Sequence, residues 1–539
     1  MSRLPNQRDR RNALIHLFEQ VSGDLNGLSR SLDRLLPGDR EAVGSNWRLW
    51  EPHLRGRLGG NADIVFRVVS GDGVQPPAIV VYVDNLVDPE LLETGVIKPL
   101  QDGFRAAGSW NREWVSVGEL TQVTSWPDAY RNLFDGQCLL ILPPGRALWA
   151  ASVNSVPHRS VDRPQTELVT RGPQEGFTEL LALQMAQLRH AVPSPDLRIE
   201  RLRIGERASA GIGVAWLAGL ANDALVAEVK SRLQLIRVDM PLNATRISAY
   251  LRDRSSSIFP TVRASESVAF ARFQLQNGKV LILVDGDPFV LSVPAVLADF
   301  YRTPADHGGP WYDASFVRIL RLLGWAMGVF LPGMYVALTE LDPRVISPAL
   351  LILLTASHTG LPFNPIVEVL FMILSIELLR EAAIRLPSPL GATIGTVGAI
   401  VVGTAVVKAG FVSAQIIVVM TLAALSFFTA PVYELTATWR VAALVMLIAA
   451  FLFGLYGIVL AALWLIGALM DTESFGMPYL VPYVPFRARD FSNTVWRVPW
   501  VHLQNRLSVA RAEDNQTASP PDHGWDPGLQ VENKRDDEQ

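Results

Sequence analysis

The 539-residue sequence predicts an α/β cytoplasmic N-terminal region of two similar subdomains, followed by an α-helical polytopic membrane domain. Charged residues are frequent from Met1 to Tyr312, whereas from Phe316 to about Pro485 apolar stretches approach the roughly 20 residues that cross a bilayer. The mean hydropathy of +0.22 and the 49% of hydrophobic residues are also high for a wholly soluble chain.

The first subdomain is predicted within residues 1–160. A helix with apolar spacing lies between Asn12 and Leu36, and the strand-like segments are AIVVYVDNL, CLLIL and ALWAA. Asp88 is placed to cap a helix that has Pro89 at its first position. The first subdomain is therefore predicted to contain a strand, a helix and then a β-hairpin.

The second subdomain, residues 161–304, repeats that order. GVAWLAGLANDALVAEVKSRL resembles IVVYVDNLVDPELLETGVIKP, and NGKVLILV resembles DGQCLLIL. We predict a diverged internal duplication, and chance similarity between short segments is the alternative. A different strand order in the two subdomains would contradict it. The aligned pairs are Tyr82 with Trp216, Leu86 with Leu220 and Gly136 with Gly278.

The segment RPQTELVTRGPQEGFTELL joins the two subdomains and mixes both signs of charge. Its candidate contact residues are Arg163, Glu167, Arg171, Glu175 and Glu179. Two interpretations are open at this point. These side chains either clamp a ligand or a neighbouring subdomain, or they form a solvated, ion-paired linker.

The helical membrane domain is predicted at residues 305–485. Spans are expected near 316–338, 390–409, 413–434 and 441–470, with short or re-entrant helices at 345–383. The short helices form either a returning pair or one broken crossing. Arginines before the first span and after the last favour a cytoplasmic location for both termini. Residues 486–539 are predicted to be a cytoplasmic tail, disordered from about 513.

Ionisable residues in an apolar helix are costly to bury and therefore mark candidate functional positions. Asn364 and Pro365 start such a helix and place Glu368 in its first turn. Glu368 is either a carboxylate stabilised by the helix dipole or a residue that lines a cation path.

The same helix carries further charges at pairing distance. Glu377 with Arg380, and Glu381 with Arg385, are spaced three and four residues apart. These residues form either a structural ladder of ion pairs or a gating or subunit contact.

Small residues recur every fourth position in the next apolar segment, at Gly391, Gly395, Ala399 and Gly403. Such a stripe lets helices approach closely. It is either a packing seam within one subunit or a subunit interface or pore-facing surface.

Several functional classes are not indicated. The net charge of -4 with interspersed signs gives no basic footprint for nucleic acid, and no Cys/His cluster has metal-ligand spacing. The lone Cys138 lies in a strand-like run. No nucleophile-base pair or phosphate-binding loop is evident, so we predict a non-enzymatic protein without a metal or another cofactor. The N-terminus is charged and no apolar run follows it, so we do not predict a signal peptide.

Five separated motifs, between roughly Arg163 and Pro485, resemble the A-type subunits of bacterial spore germinant receptors, the GerA family. They are RPQTELVTRGPQEGFTELL, DGDPFVL, PFNPIVEVLFMILSIELLREAAIRLP, GATIGTVGAIVVGTAVVKAG and SFGMPYLVPYVP. The resemblance implies a multi-pass subunit in the spore inner membrane, surrounded by lipid. It also implies a transporter-like B subunit and a lipoprotein C subunit as partners, and a homo-oligomeric, ion-conducting ring.

Other functions remain open from the sequence. A secondary transporter would use intramembrane carboxylates for coupling, but such proteins usually carry repeats within the membrane part. A non-conducting membrane scaffold is a third class. A related spore-membrane paralogue associated with dipicolinate transport shares the five motifs.

Overall fold

The computed structural model describes residues 42–44, 46–69, 77–107, 109–143, 147–154, 164, 167, 172–240, 243–303, 305–358, 360–385, 406–499 and 506–513. Within them, two α/β units precede a helical region. Several predictions fall outside these residues. They concern the helix between Asn12 and Leu36, most of the span near 390–409, and the residues Arg163, Arg171, Gly391, Gly395, Ala399 and Gly403.

The first unit is a five-stranded sheet between two layers of helices. Its strands are β1 (Ile64–Val69), β2 (Ala78–Val83), β3 (Leu120–Val123), β4 (Gln137–Ile141) and β5 (Leu148–Ser152). Its helices are α1 (Trp50–Leu58), α2 (Pro89–Leu92), α3 (Lys98–Ala107) and α4 (Trp126–Phe134). Successive side chains of a strand point to opposite faces. Val81 and Val83 therefore pack with α1 and α4, and Val80 and Tyr82 pack with α2 and α3.

The second unit contains the same arrangement. Its helices are α5 (Leu181–Ala191), α6 (Asp223–Leu235), α7 (Ala244–Leu251) and α8 (Val268–Gln276). Its strands are β6 (Leu197–Ile204), β7 (Ala210–Leu217), β8 (Arg263–Ser265), β9 (Val280–Val284) and β10 (Val290–Val293). The strand orders are β1-β2-β4-β5-β3 and β6-β7-β9-β10-β8, antiparallel throughout. The identical order confirms the predicted similarity of the two units.

The strand register also agrees with the predicted alignment. Val81 pairs with Leu139 in the first sheet, and the aligned residues Ala215 and Leu281 pair in the second. The helix after the second strand begins in the same way in each unit. The side chain of Asp88 caps α2, and the side chain of Asn222 caps α6 from the aligned position.

Two glycines occupy the same special position in the two units. Gly136 and Gly278 have positive φ angles of 84° and 75°. A Cβ atom at Gly136 would lie 2.8 Å from the carbonyl oxygen of Leu86, and one at Gly278 would lie 3.2 Å from that of Leu220. Both the backbone conformation and the close approach therefore favour glycine.

A buried ion pair joins the two units. Arg189 of α5 binds Asp63 through two nitrogens, at 3.0 and 2.9 Å, and both side chains are almost fully enclosed. The same guanidinium donates to the carbonyl oxygen of Leu197 at 2.9 Å and to Asn61 Oδ1 at 3.3 Å. Such a pair is stable inside a protein because its remaining hydrogen-bonding groups are also satisfied.

The helical region follows the second sheet. Its helices are α9 (Ala305–Gly308), α10 (Trp311–Val336), α11 (Pro348–His358), α12 (Pro365–Arg385), α13 (Val406–Lys408), α14 (Ala414–Phe427), α15 (Tyr433–Met470) and α16 (Ala488–Val495). A π-helical turn, Ala337–Leu341, extends α10. Two stretches, Trp311–Leu341 and Tyr433–Met470, are long and apolar enough to cross a membrane, judged by length and composition.

The chain reverses direction inside α15. Thr438 Oγ1 donates to the carbonyl oxygen of Ile258, and Asp471 pairs with Arg254, so both ends of α15 contact one short segment of the second unit. A straight helix would separate residues 438 and 471 by about 50 Å. Gly454, with φ 61° and ψ -143°, breaks the helix and allows the reversal. The span predicted near 441–470 is therefore two antiparallel helices.

The other long helices run in both directions. α10 starts beside the second unit, where Arg321 donates to the carbonyl oxygen of Tyr301 at 2.9 Å. At its far end Glu340 accepts from the backbone N–H of Ile366, so α12 begins there and runs back. The chain enters and leaves the helical region on the side of the α/β units. The arginines that favour one location for both termini agree with this arrangement.

The span predicted near 413–434 is shorter than expected. α14 ends at Phe427, and α15 starts only at Tyr433. Pro431 lies between them, and proline both lacks an N–H donor and disfavours helical geometry at the residue before it.

The chain after the last helix returns to the second unit. The backbone N–H of Glu513 donates to the carbonyl oxygen of Leu220 at 3.0 Å, and Leu507 donates to Asn277 Oδ1 at 3.4 Å. Residues 506–513 of the tail therefore contact the second unit. The disorder predicted beyond them concerns residues outside the described ranges.

We expect Asp63→Asn to lower the free energy of unfolding by about 3 to 5 kcal/mol, because it leaves the buried guanidinium of Arg189 without a counter-charge. Asp196→Asn is the matched control, since Asp196 pairs with Arg57 across the same boundary but is 40% exposed. Its cost should stay within about 1 kcal/mol. Urea unfolding of the detergent-solubilised chain measures both, and equal effects would contradict the assignment.

Candidate functional site

A single hydrophobic cluster extends across the second α/β unit and the helical region. Phe259 and Phe300 belong to the unit, Trp439 to α15 and Tyr479 to the segment that follows it. The ring of Phe259 lies 6.0 Å from the ring centroids of both Trp439 and Tyr479. Because close-packed interiors transmit displacement, a movement of the unit reaches the start of α15 directly.

A buried acid reinforces this junction. Asp306 accepts from Arg318 Nε at 3.1 Å and from Arg321 Nη1 at 3.0 Å, and its side chain is 3% exposed. Burial alone would raise the pKa of Asp306, but the attraction of Arg321 and Arg318 outweighs it. The pKa therefore lies below its ordinary value of 3.8.

A second buried pair lies next to the shared cluster. Lys279 Nζ is 2.7 Å from Asp299 Oδ2, which also accepts the backbone N–H of Val296. Burial lowers the pKa of Lys279, although Asp299 opposes that shift. The pair ties β9 to the last turn before the helical region, so the end of the sheet and the start of the helices are linked by charge as well as by packing.

The linker carboxylates contact the second unit. Glu167 binds Arg263 at 2.6 Å in a pair that is nearly fully buried. Glu175 accepts from Gln187 Nε2 at 3.2 Å, and Glu179 is exposed. The most enclosed of these contacts therefore lies within the second unit and attaches the linker to β8.

Glu368 lies at the end of the helical region remote from the α/β units. It has no exposed surface. Its Oε1 is 3.0 Å from His358 Nδ1, and its Oε2 accepts the backbone N–H of Ser413 at 2.7 Å. His358 Nε2 in turn lies 3.1 Å from the hydroxyl of Tyr335. In the single chain, this carboxylate joins α10, α11, α12 and the start of α14.

Two further carboxylates perform similar tasks, and sequence reasoning missed both. Glu340 Oε1 accepts from the N–H of Ile366 at 3.2 Å, at the start of α12. Asp342 Oδ2 accepts from the N–H of Leu455 at 2.8 Å, beside the break at Gly454. The partners are 26 and 113 residues away in sequence, so no local pattern indicated them.

Glu377 forms a bridge between two arginines. Its Oε1 lies 2.6 Å from Arg380 and its Oε2 lies 2.8 Å from Arg440. The predicted pair with Arg380 is present, and Arg440 of α15 is the partner that the sequence did not indicate. Glu377 is 40% exposed, so this bridge is partly solvated. It fastens α12 to α15 near the α/β units.

Glu381 is exposed on α12, and the side chain of its expected partner Arg385 lies outside the described residues.

Within the described ranges, no group of three or more His, Cys, Asp and Glu side chains could hold a metal ion. The arrangement can transmit movement at one end, through the shared cluster. At the other end it holds the helix starts together by hydrogen bonds to buried carboxylates.

The chain belongs to the Bacillus/Clostridium GerA spore germination protein family, whose model matches residues 52–509. This confirms the resemblance and extends it towards the N-terminus, beyond the five motifs that indicated it. The chain is similar to spore germination protein B1 of Bacillus subtilis (strain 168), with 34% identity over 86% of this chain and 96% of the relative. Spore germination protein KA of the same organism is 30% identical over 85% of each chain.

One solved structure is also similar. It is the crystal structure of the N-terminal domain of the A subunit of the Bacillus megaterium spore germinant receptor GerK3. The similarity covers 48% of this chain and 98% of that chain, with 24% identity and a TM-score of 0.37.

We expect Asp306→Asn to destabilise the chain by about 3 kcal/mol at pH 7, because it leaves two arginines facing a neutral side chain. The folded-state pKa of Asp306 is lowered. The stabilisation is therefore complete above the unfolded-state pKa and is lost as pH falls below about 4. Thermal unfolding of both proteins between pH 3 and 8 should show the difference shrinking only at the acidic end. A constant difference would contradict the role of the charge.

Proposed function

We propose that this chain is a membrane subunit of a spore germinant receptor, which couples nutrient sensing to ion release at the start of spore germination. In this proposal, the subunits assemble into an oligomeric cation channel. Membership of a spore germination family supports the biological role. The proposed coupling is supported by the hydrophobic cluster that the second α/β unit shares with the helices. Because the cluster is packed, a movement of the unit would displace the start of α15.

The proposed location is the spore inner membrane, with the α/β units on the cytoplasmic side. The two long apolar stretches support this placement. The reversal at Gly454 and the opposite directions of α10 and α12 also support a multi-pass arrangement in which the chain returns to its starting side. Lipid, a transporter-like B subunit and a lipoprotein C subunit are the proposed partners, together with further copies of this chain.

A receptor is favoured over a secondary transporter by the position of the repeat. The duplicated strand order lies in the two α/β units. Transporters with internal repeats carry them in the membrane part, around a substrate site at the repeat interface. No catalytic step is proposed.

Glu368 is the proposed gating residue. In the single chain it is enclosed and bound to His358 and Ser413. Its charge therefore reaches an ion path only if assembly or activation moves α14 away. A ring of such carboxylates, one from each subunit, would attract cations at a constriction. The alternative is that Glu368 serves only to cap α14.

Glu368→Gln tests this role, because it keeps the shape and one acceptor while removing the charge. We expect normal membrane abundance with reduced germinant-triggered potassium efflux from spores that carry the variant. Potassium efflux and abundance are measured together. Normal efflux at normal abundance would assign Glu368 to helix capping alone.

Glu377→Gln and Arg380→Gln are the comparison variants. Each removes one member of the bridge between α12 and α15, so we expect reduced protein level with efflux lowered in proportion. Since Glu377 is 40% exposed, the cost should lie below the 3 to 5 kcal/mol of a fully buried pair. Efflux that falls while abundance is unchanged would instead place the bridge in the conduction pathway.

A further inference from the structure

A cavity of about 370 Å³ lies between α10, α12, α14 and α15. Its wall is largely apolar and includes Ile373, Met420, Ala424 and Leu444. The size falls within the range of small-molecule binding sites, which combine apolar walls with a few polar groups. The described lining also contains three charged residues, Glu377, Arg380 and Arg440.

The charges at this cavity are unbalanced. One carboxylate faces two guanidinium groups, so the described lining carries a net charge of +1. Each carboxylate oxygen of Glu377 already binds one of the two arginines, Arg380 and Arg440. The Nε atom of Arg440 is buried, and it has no hydrogen-bond partner in the part of the chain that the structure describes. An unused donor next to excess positive charge favours an anion.

We propose that this cavity binds an amphiphile with one anionic head group and one apolar chain. The head group pairs with Arg440 and Arg380, and the chain lies along Ile373, Met420 and Leu444. At about 30 Å³ for each water-sized group, 370 Å³ accommodates roughly twelve heavy atoms. A ten-carbon alkyl carboxylate matches this size, charge and polarity.

The ligand enters from the outer surface of the helices. Val441 and Leu444 line the cavity and are 49% and 43% exposed, so the cavity opens where the helices meet their apolar surroundings. Two ligands supply an anionic head group with an apolar chain: a free alkyl carboxylate, and an anionic lipid that inserts one of its chains. Binding there would brace α12 against α14 and α15. The proposal does not depend on ion conduction.

Decanoate is the probe, tested on the full chain purified in a neutral detergent. Calorimetry with hexanoate, octanoate and decanoate should show binding that tightens about three- to fourfold for each added CH₂ group. Dodecanoate, with about fourteen heavy atoms, should bind no more tightly than decanoate, because it exceeds the size that the cavity accommodates. Decyltrimethylammonium has an alkyl tail of similar length and the opposite charge, so it should bind at least tenfold more weakly. Equal affinity for the two head groups would overturn the proposal.

Two matched variants locate the site. Ala424→Leu fills the cavity without changing a charge and should weaken decanoate binding at least about tenfold. Ala356→Leu adds the same side chain at an exposed position on α11, outside the cavity, and should leave binding unchanged. Equal affinities of the two variants would overturn the proposal. So would a change of oligomeric mass in Ala424→Leu without loss of decanoate binding, because the cavity would then be a subunit contact.

Nanodiscs distinguish the two sources of the ligand. If a membrane lipid occupies the cavity, phosphatidylglycerol should raise the thermal stability of the natural chain above its value in phosphatidylcholine, and Ala424→Leu should abolish the difference. If a free carboxylate is the ligand, decanoate alone should produce this stabilisation. Stabilisation by neither would overturn the proposal.

Discussion

The backbone N–H groups at the start of a helix have no partner inside that helix, and in apolar surroundings each must find one elsewhere. Three helical segments begin at the end of the bundle that is remote from the α/β units, and a carboxylate accepts from each. Glu340 contacts the start of α12, Glu368 the start of α14, and Asp342 the segment after Gly454. The positive end of each helix dipole also favours the negative charge. These three hydrogen bonds fix the helix starts at this end, where a hydrophobic cluster also packs the helices together.

The opposite end of the helical region is held in a different way. There the shared aromatic cluster supplies the contact area, and Asp306 between Arg318 and Arg321 supplies the charge pairing. Hydrophobic contact is non-directional, whereas buried ion pairs require a defined geometry. The junction therefore combines a broad attachment with a specific alignment. The remote end combines carboxylate contacts of single helix starts with a hydrophobic cluster that includes Val336, Ile366 and Val412.

The sequence predicted the local features well. Tyr82 and Trp216 belong to duplicated strands, and the alignment around Gly136 and Gly278 agrees with the strand pairing. Capping by Asp88 was also foreseen, because the N-cap and the following proline are adjacent in sequence. These features depend on neighbours and on periodic patterns, which a sequence displays directly.

The features that were missed depend on distant partners. An apolar run from 441 to 470 looks the same whether it is straight or folded back, and the reversal is revealed by contacts with distant residues, such as that of Asp342 with Leu455. Arg440 could not be paired with Glu377 before the helix directions were known. Similarly, the sequence offered both interpretations of Glu368, and its burial became visible only once α11 and α14 were placed around it.

The tight reversal at Gly454 has a consequence for access from the outside. A turn made by a single residue leaves no loop between the two halves of α15. In a membrane-spanning arrangement, the far side of the described chain would then present the connection from Asp342 to Asn364, which contains α11, and the segment from Val406 to Ser413. Proteases, antibodies and extracellular labelling reagents would find few other epitopes there. Recognition from that side would be concentrated on these two short, largely apolar segments.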